Sequence, residues 1–274
     1  MNKVFKRTLL IIALFCINSW LYANPVLNKK PKLYAIVIGI GEYPKAYFSS
    51  KFAKNDATAF YKILKAQVGG IYTQGSIRLL NQPSQTTRVS IQQAFENIKS
   101  KIKSEDIFIV FIAGEAGHVD DEYYLLTSQS QNFSAEQLKR TGLSATQLKS
   151  LITHISAENK IILLDTSLSD SVMKITDLFA THNIKACRSG IILTAGRYVI
   201  AEGFKGYSLF TYAVLDALSG IADTNKNGFI KSDELAQYVE EAIPMIAKHE
   251  FGRQQIPFID ECGRNLQLKK IPRE

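Results

Sequence analysis

The stretch Leu33–Ile40 reads LYAIVIGI, an apolar run interrupted only by Gly39. Two further runs follow it, Ile107–Ala113 (IFIVFIA) and Lys160–Asp165 (KIILLD). Strands whose hydrophobicity is continuous rather than alternating are covered on both faces, as in the centre of a parallel sheet. These runs therefore predict an α/β fold in which helices cover both faces of a mostly parallel central sheet.

The rest of the chain supplies further elements of such a fold. Shorter strands are predicted at Ser76–Leu80 and Gly190–Ala195 and, after a turn, at Glu122–Thr127. Amphipathic stretches between the strands predict the helices Asn55–Val68, Thr86–Lys103, Ser144–Ile155, Ser208–Leu218 and Ser232–Ala247. This alternation is typical of one α/β domain, here of about 240 residues.

Composition narrows the class of protein. The chain has 274 residues, 46% hydrophobic and 21% charged, which is ordinary for a globular protein and excludes disordered, collagen-like and multi-pass membrane classes. Lys and Arg exceed Asp and Glu by 33 to 25. Because the cations are scattered, the clustered charge of a nucleic-acid interface is missing from the sequence, and we expect no nucleic-acid partner.

The N-terminus has the order of a secretory signal. Lys3, Lys6 and Arg7 precede the apolar stretch Leu9–Leu21, and a small residue, Ala23, follows. We predict a signal peptide over residues 1–23, a linker over 24–31 and one domain over 32–272, in a periplasmic or secreted protein. The apolar run is short for a membrane span, so a retained N-terminal membrane anchor is the alternative.

The cysteine count changes with export. Removing the predicted signal also removes Cys16 and leaves Cys187 and Cys262 in an oxidising compartment. A single disulfide is one interpretation. The favoured one is two small, buried, unpaired side chains, since free cysteine is among the most buried residue types.

Chemistry in a parallel sheet is expected at the carboxyl ends of the strands, which places residues 114–118 (GEAGH) and 165–170 (DTSLSD) at the candidate site. With their surroundings, these segments resemble the caspase-like cysteine peptidases, in particular the bacterial caspase and metacaspase-like branch. The resemblance extends over nearly the whole predicted domain. It is carried in order by residues 34–43 (YAIVIGIGEY), 54–57 (KNDA), 106–114, 120–126, 160–169, 192–197, 201–203, 210–212, 223–239 and 255–257. It implies a caspase-like three-layer sandwich.

The resemblance also implies a catalytic dyad that this chain lacks. The family places a histidine after the third core strand and a cysteine after the fourth, and the ungapped match has Glu115 and Ser167 there. A serine hydroxyl needs an adjacent base, and an ordinary carboxylate with a pKa of about 4.3 is a poor one. We therefore predict an inactive pseudopeptidase that binds a peptide or protein partner. The alternatives are an active hydrolase that uses Ser167 with His118 or Glu115, and a purely structural envelope scaffold.

Two other residues resemble catalytic groups. His118 takes the family histidine's place only if a gap is inserted, so a surface loop histidine is the favoured interpretation. Residues 185–190 (KACRSG) resemble the motif around caspase nucleophiles. Cys187 precedes its predicted strand, however, whereas a nucleophile in this fold follows one, so we interpret Cys187 as structural.

Asp56 and Asp165 match aspartates that, in the metacaspase branch, form an acidic pocket for an arginine or lysine side chain. This predicts substrate-binding residues for a partner with a basic side chain. The structural alternative is that Asp56 caps the helix near Asn55 and Asp165 accepts backbone amides. Nearby, residues 206–212 read GYSLFTY where relatives commonly read GHGVFTY, so the polar entry to this helix has changed.

The segment 223–234 has the spacing of a calcium-binding loop, with Asp223, Asn225, Asn227, Gly228 and Glu234 at the motif positions. Only Asp223 and Glu234 carry negative charge, and Lys231 occupies the ninth position. The favoured interpretation is a structural Asx-type turn, with a weak calcium site as the alternative. No other cofactor is expected.

Overall fold

A computed structural model of the chain describes residues 30–45, 50–120, 122–166, 189–197 and 199–272. Its compact body spans Pro31–Glu274. The strands are β1 Lys32–Gly39, β2 Thr73–Leu80, β3 Ile107–Gly114, β4 Ala116–Val119, β5 Glu122–Leu125, β6 Leu143–Ser144, β7 Asn159–Thr166, β8 Ser189–Arg197, β9 Phe229–Lys231, β10 Ile256–Gly263 and β11 Gln267–Lys270. The helices are α1 Ala53–Gln67, α2 Arg88–Lys99, α3 Ala135–Thr141, α4 Ala145–Thr153, α5 Leu209–Asp216 and α6 Ser232–Phe251.

Six strands form the central sheet, in the order β10-β8-β7-β3-β1-β2. All are parallel except β10, which runs antiparallel to β8 at one edge. In the register, Gly39 lies beside Ala113 and Ala113 beside Asp165, so β1, β3 and β7 end level with one another. This alignment brings the strand-end residues of distant segments to one edge of the sheet.

Two hydrophobic layers cover the sheet. Along β1, Leu33, Ala35 and Val37 belong to the layer beneath α1, α5 and α6, while the alternate residues Tyr34, Ile36 and Ile38 belong to the layer beneath α2 and α4. Apolar side chains on both sides explain the continuous runs in the sequence. The predicted α/β three-layer sandwich is confirmed.

Serine and threonine side chains start four of the helices. Thr87, Ser134, Ser144 and Ser208 each accept a hydrogen bond from a backbone N–H in the first turn of the following helix. Such caps satisfy amide groups that have no partner within the helix. Ser144 and Gln147 form a complete capping box at the start of α4.

The strands and helices of the structure largely match the predicted ones, with a few differences. The five predicted core strands are confirmed to within a few residues, and β10 was not predicted. Helix α5 stops at Asp216, short of the predicted end at Leu218, and a π-helical turn over Ala217–Ile221 continues it. Gly220 has a φ of 138° within that turn, a conformation that favours glycine.

The expectation of two unpaired buried cysteines is wrong for Cys262. Its side chain is half-buried and disulfide-bonded. Cys187 lies outside the described residues. Cys262, which lies in the edge strand β10, therefore forms a disulfide instead of being unpaired as we expected.

The predicted signal peptide over residues 1–23 and most of the linker lie outside the described residues. Within the described ranges, no helix combines the length and the apolar character that crossing a membrane requires.

Candidate functional site

A cavity of about 400 Å³ opens where β1, β3 and β7 end. Three acidic residues line it: Asp56 from the first turn of α1, Glu115 just after β3, and Asp165 near the end of β7. Apolar residues complete much of the wall, namely Phe52, Ala53, Phe133, Val199, Ile200 and Ala201. The cavity therefore combines three carboxyl groups with an apolar wall, and Lys51 also lines it.

Asp56 is almost completely buried, with 1% of its surface exposed. Its Oδ1 accepts a hydrogen bond from the backbone N–H of Ser208 at 3.2 Å, and the Ser208 hydroxyl also stabilises the ionised form of this carboxyl group. Helix α1 begins after Phe52 without a side-chain cap. The structural alternative, in which Asp56 caps this helix, is therefore wrong.

Asp165 is 6% exposed and is fixed by hydroxyl groups. Its Oδ2 accepts hydrogen bonds from the Ser208 hydroxyl and, at 2.5 Å, from the Thr211 hydroxyl. Hydrogen bonding from the Thr211 backbone amide also lowers the pKa of this carboxyl group. The expected backbone donor is thus joined by two hydroxyl donors from the segment that begins α5.

Ser208 connects the two carboxyl groups. Its backbone N–H donates to Asp56, and its hydroxyl donates to Asp165 while accepting from the backbone N–H of Thr211 at 3.1 Å. One residue thus caps α5 and holds both acids at the cavity. Ser208 and Thr211 were not predicted as site residues, although position 208 had been noted as a departure from the family pattern.

Burial changes the protonation of the acidic pair. Burial, together with the nearby negative charge of Asp165, raises the pKa of Asp56 to about 8. The pKa of Asp165 is also raised, to about 6. Burial is the main cause and the charge of Glu115 adds to it, while hydrogen bonds from Ser208 and Thr211 act in the opposite direction. Two carboxyl groups in one buried site resist double ionisation because each charge opposes the other. A bound cation would favour ionisation of both.

Glu115 is held at the cavity wall by its backbone. Its N–H donates to the Tyr43 hydroxyl at 2.9 Å, and that hydroxyl donates to the carbonyl of Ile40 at 3.1 Å. Its carbonyl accepts from the N–H of Leu126 at 2.9 Å. These contacts tie the ends of β1 and β3 together, so that a carboxylate is fixed at the position where the family resemblance places a histidine.

Of the remaining candidate catalytic residues, His118 lies within the described part of the chain. His118 lies on β4, opposite Tyr123 of β5, and is exposed and absent from the cavity wall. It is thus a strand residue rather than the loop residue we expected. Ser167 and Cys187 lie outside the described residues.

The predicted calcium loop is a hydrogen-bonded turn. Asp223 accepts from the backbone N–H groups of Asn227 at 3.0 Å and Gly228 at 2.9 Å. Glu234 accepts from the backbone N–H of Lys231 at 3.0 Å and from the side-chain amide of Asn225 at 2.5 Å. The predicted Asx-type turn is confirmed. Each carboxylate oxygen of Asp223 and Glu234 has a partner within the loop.

Comparisons with known proteins agree with this architecture. The family model of the caspase domain matches residues 32–266. Among solved structures, a protein from Geobacter sulfurreducens is similar, with a TM-score of 0.57 and 12% sequence identity over 85% of this chain and 94% of that one. No curated protein matched the chain by sequence.

The fold and the strand-end cavity define a peptidase-family protein of the caspase type. The chain belongs to the caspase domain family, since the family model matches well over half of its residues. At 12% identity, the structural likeness to the Geobacter sulfurreducens protein shows a shared fold alone.

Proposed function

We propose that this chain is a catalytically inactive caspase-like protein that binds a peptide or protein partner through a basic side chain. The acidic cavity carries this proposal. Two carboxyl groups that are more than nine-tenths buried, those of Asp56 and Asp165, line it together with Glu115. Buried charges are normally paired, so this arrangement favours a cationic group from outside the chain.

The shape of the cavity suits a long basic side chain. Lysine and arginine have apolar stems that pack along apolar surface while the charged end reaches a polar partner. Phe52, Val199 and Ile200 supply such surface in the same cavity as the acids. The cavity therefore fits a basic side chain better than a small inorganic cation, which would leave the apolar wall without a partner.

The proposed inactivity follows from the residues at the dyad positions. Glu115 stands at the end of β3, and His118 lies away from the cavity wall. Within the described part of the chain, the side chains that line the cavity and could act as a base for a serine at position 167 are carboxylates such as Glu115. An alcohol is far less acidic than a thiol, so this pair is a weak basis for peptide hydrolysis.

The location of the partner follows from the predicted signal. An exported chain meets its partner in the periplasm or outside the cell, and a retained anchor would place the same cavity at the membrane surface. Under the proposal, the partner presents an accessible basic side chain in that compartment.

The test of inactivity uses the predicted mature chain, residues 24–274, with reporter peptides that end in arginine, lysine or aspartate. We expect no turnover by the natural sequence, with or without calcium. Activity that appears in the Glu115→His/Ser167→Cys double variant would show a preserved pocket beside a missing dyad. Turnover by the natural chain that disappears in Ser167→Ala would contradict the proposal.

The test of binding is retention of an envelope partner by the immobilised chain. Asp165→Lys places a cation inside the pocket and should abolish the interaction. Glu240→Lys, on the exposed face of α6, is the charge-matched control and should leave it unchanged. Unaltered retention by Asp165→Lys would argue for a scaffold that uses its outer surface.

A further inference from the structure

We propose that a second face of the domain docks on the surface of an anionic phospholipid membrane. This face surrounds a cavity of about 780 Å³ that is lined by residues of the last turn of α1, of β9 and of β11. The lining side chains are Ala66, Gln67, Asn227, Phe229, Lys269, Lys270, Ile271 and Pro272, and we call them the basic face. The inference is independent of the proposed binding of a basic side chain.

The cavity of the basic face carries positive charge. Lys269 and Lys270 line it, and no acidic side chain of the described chain does. The adjoining loop contains Asp223, but both oxygens of that carboxylate accept hydrogen bonds from backbone N–H groups of the loop itself. The carboxyl end of α1 adds a partial negative charge of about half a unit, and its Lys65 and Gln67 carbonyls already accept hydrogen bonds from the chain that follows. Two full positive charges dominate, so the cavity favours an anion.

Lys269 holds its charge against an uncharged acceptor. Its side chain is half-buried, and its Nζ donates to the carbonyl of Leu218 at 2.5 Å. Burial lowers the pKa of Lys269. An ammonium group has three donors, and charge-assisted hydrogen bonds to a phosphate are stronger than those to a carbonyl. A phosphate group at the cavity would therefore stabilise the charged form of this lysine.

Apolar side chains beside the lysines favour a membrane over a soluble anion. Phe229, Ile271 and Pro272 line the same cavity. Ile221 is 60% exposed and ends the π-helical turn that accepts the hydrogen bond from Lys269. Peripheral binding to a membrane combines burial of apolar side chains at the headgroup level with attraction between lysines and anionic lipids. A soluble anion would leave these apolar groups in water.

The domain begins beside the basic face. The carbonyl of Pro31 accepts hydrogen bonds from the backbone N–H and the hydroxyl of Thr73. The neighbouring Tyr72 donates its hydroxyl to the carbonyl of Gln267 in β11. The predicted linker over residues 24–31 is at most about 28 Å long when extended, so a retained N-terminal segment would keep this face near the membrane.

The basic face and the acidic cavity lie at opposite ends of α1. Asp56 in the first turn lines the acidic cavity, and Gln67 in the last turn lines the basic one, about 16 Å away along the helix. A chain docked through the basic face would therefore leave the acidic cavity open to a partner.

The test measures co-sedimentation of residues 24–274 with lipid vesicles, because the apolar N-terminal segment would itself bind lipid. We expect binding to vesicles of equal parts phosphatidylglycerol and phosphatidylcholine to be at least about 30-fold tighter than binding to phosphatidylcholine alone. Lys269→Gln/Lys270→Gln should weaken binding to the anionic vesicles about 30-fold, since each lysine near an anionic surface contributes roughly five-fold. About 0.5 M NaCl should release the natural chain, because salt screens exposed charges.

A charge-matched control separates this face from the net charge of the chain. Arg140→Gln/Lys248→Gln removes the same charge from exposed positions on α3 and α6 and should leave binding unchanged. Lys270→Glu alters one exposed side chain by the same amount of charge and should weaken binding as strongly as the first double variant. It keeps the proposal testable if Lys269→Gln/Lys270→Gln fails to fold.

A second pair of variants tests the apolar contribution. Ile221→Ser should weaken binding to the anionic vesicles about three-fold, because less apolar surface is buried at the headgroups. Met245→Ser removes another exposed apolar side chain, on α6, and should have no effect.

Three results would overturn the proposal. The first is equal affinity for the two kinds of vesicle, or no binding to either. The second is an equal loss in Lys269→Gln/Lys270→Gln and in Arg140→Gln/Lys248→Gln, which would show attraction by the whole chain. The third is binding that excess inorganic phosphate abolishes at constant ionic strength and that Ile221→Ser leaves unchanged, which would assign the cavity to a soluble phosphate. Peptide binding by the acidic cavity is measured separately, so its failure and the failure of this proposal are distinguishable.

Discussion

Two acidic sites of this molecule use their carboxyl groups in opposite ways. In the loop that precedes α6, Asp223 and Glu234 direct all four carboxylate oxygens at donors of the same loop. In the strand-end cavity, Asp56 and Asp165 are as deeply buried as Glu234, yet both line an open cavity. The first site closes a turn, and we propose that the second receives a cation from a partner.

The two sites differ in what the sequence reveals of them. The loop has the sequence signature of a calcium site, and its carboxylates accept from its own backbone amides. The two cavity acids are more than a hundred residues apart in sequence and have no local signature of their own. What distinguishes them is the open cavity that they line, which the fold creates.

The largest expected effect comes from neutralising the cavity acids. Asp56→Asn/Asp165→Asn keeps oxygen acceptors for Ser208 and Thr211 but removes both charges. We expect it to weaken binding of a lysine peptide about 100-fold, as removal of buried charge-assisted hydrogen bonds does. The matched control, Asp223→Asn/Glu234→Gln, neutralises the loop site and should leave the affinity unchanged. An equal loss of affinity in both double variants would show that the two sites do not differ in their role in binding.

A second prediction concerns stability as a function of pH. The pKa values of Asp56 and Asp165 are raised to about 8 and about 6 from 3.8, so between about pH 4 and pH 8 the folded chain binds more protons than the unfolded one. The contribution of this pair to the free energy of unfolding is therefore largest at low pH and is lost as pH rises through these values.

Replacing one acid tests this dependence. Asp56→Asn should be more stable than the natural chain at pH 8.5, by on the order of 2 kcal/mol, and close to it at pH 4.5. Denaturant unfolding at the two pH values measures the difference. If the free energies of unfolding of the two chains changed with pH in parallel, ionisation of Asp56 would not destabilise the fold, and this prediction would be wrong.

Asp223→Ala should reduce stability without affecting the cavity. The backbone N–H of Gly228 would lose its acceptor, while that of Asn227 would keep Asn225 Oδ1, a cost of about 1 kcal/mol in the free energy of unfolding. Asp223→Asn, which keeps one acceptor oxygen, should fall between this variant and the natural chain. If the Asp223→Ala variant is fully folded and still binds the peptide less tightly, the two sites are not independent.

The smallest expected effect is that of calcium. Because the loop carboxylates are satisfied internally and Lys231 adds a positive charge, 1 mM calcium should raise the melting temperature by less than about 1 °C. A larger, saturable rise that disappears in Asp223→Ala would show that the loop binds the ion after all.

Much of the fold could be predicted from the sequence, because a strand covered on both faces must be apolar throughout. Leu33–Ile40 and Ile107–Ala113 showed this directly. Strand β10 escaped prediction because it lies at an edge, where Pro257, Asp260 and Glu261 are tolerated and the apolar pattern disappears.

The cavity was only partly predictable. The family resemblance pointed to Asp56 and Asp165, and strand topology accounts for their meeting at one edge of the sheet. The role of Ser208 could not be predicted, because it depends on a backbone amide and a hydroxyl contacting residues 152 and 43 positions away. The only signal was a serine where relatives commonly have glycine.

The central claim is that the buried acids receive a cation from a partner. Calorimetric titration of the peptide Ala-Ala-Ala-Lys-amide at pH 7, in two buffers of different ionisation enthalpy, tests it most directly. Asp56 is mostly protonated at this pH, so an ammonium that ionises the pair should release about one proton for each peptide bound. Saturable binding with that release, absent in Asp56→Asn/Asp165→Asn, is the predicted result. No binding, or binding without proton release, would contradict the account.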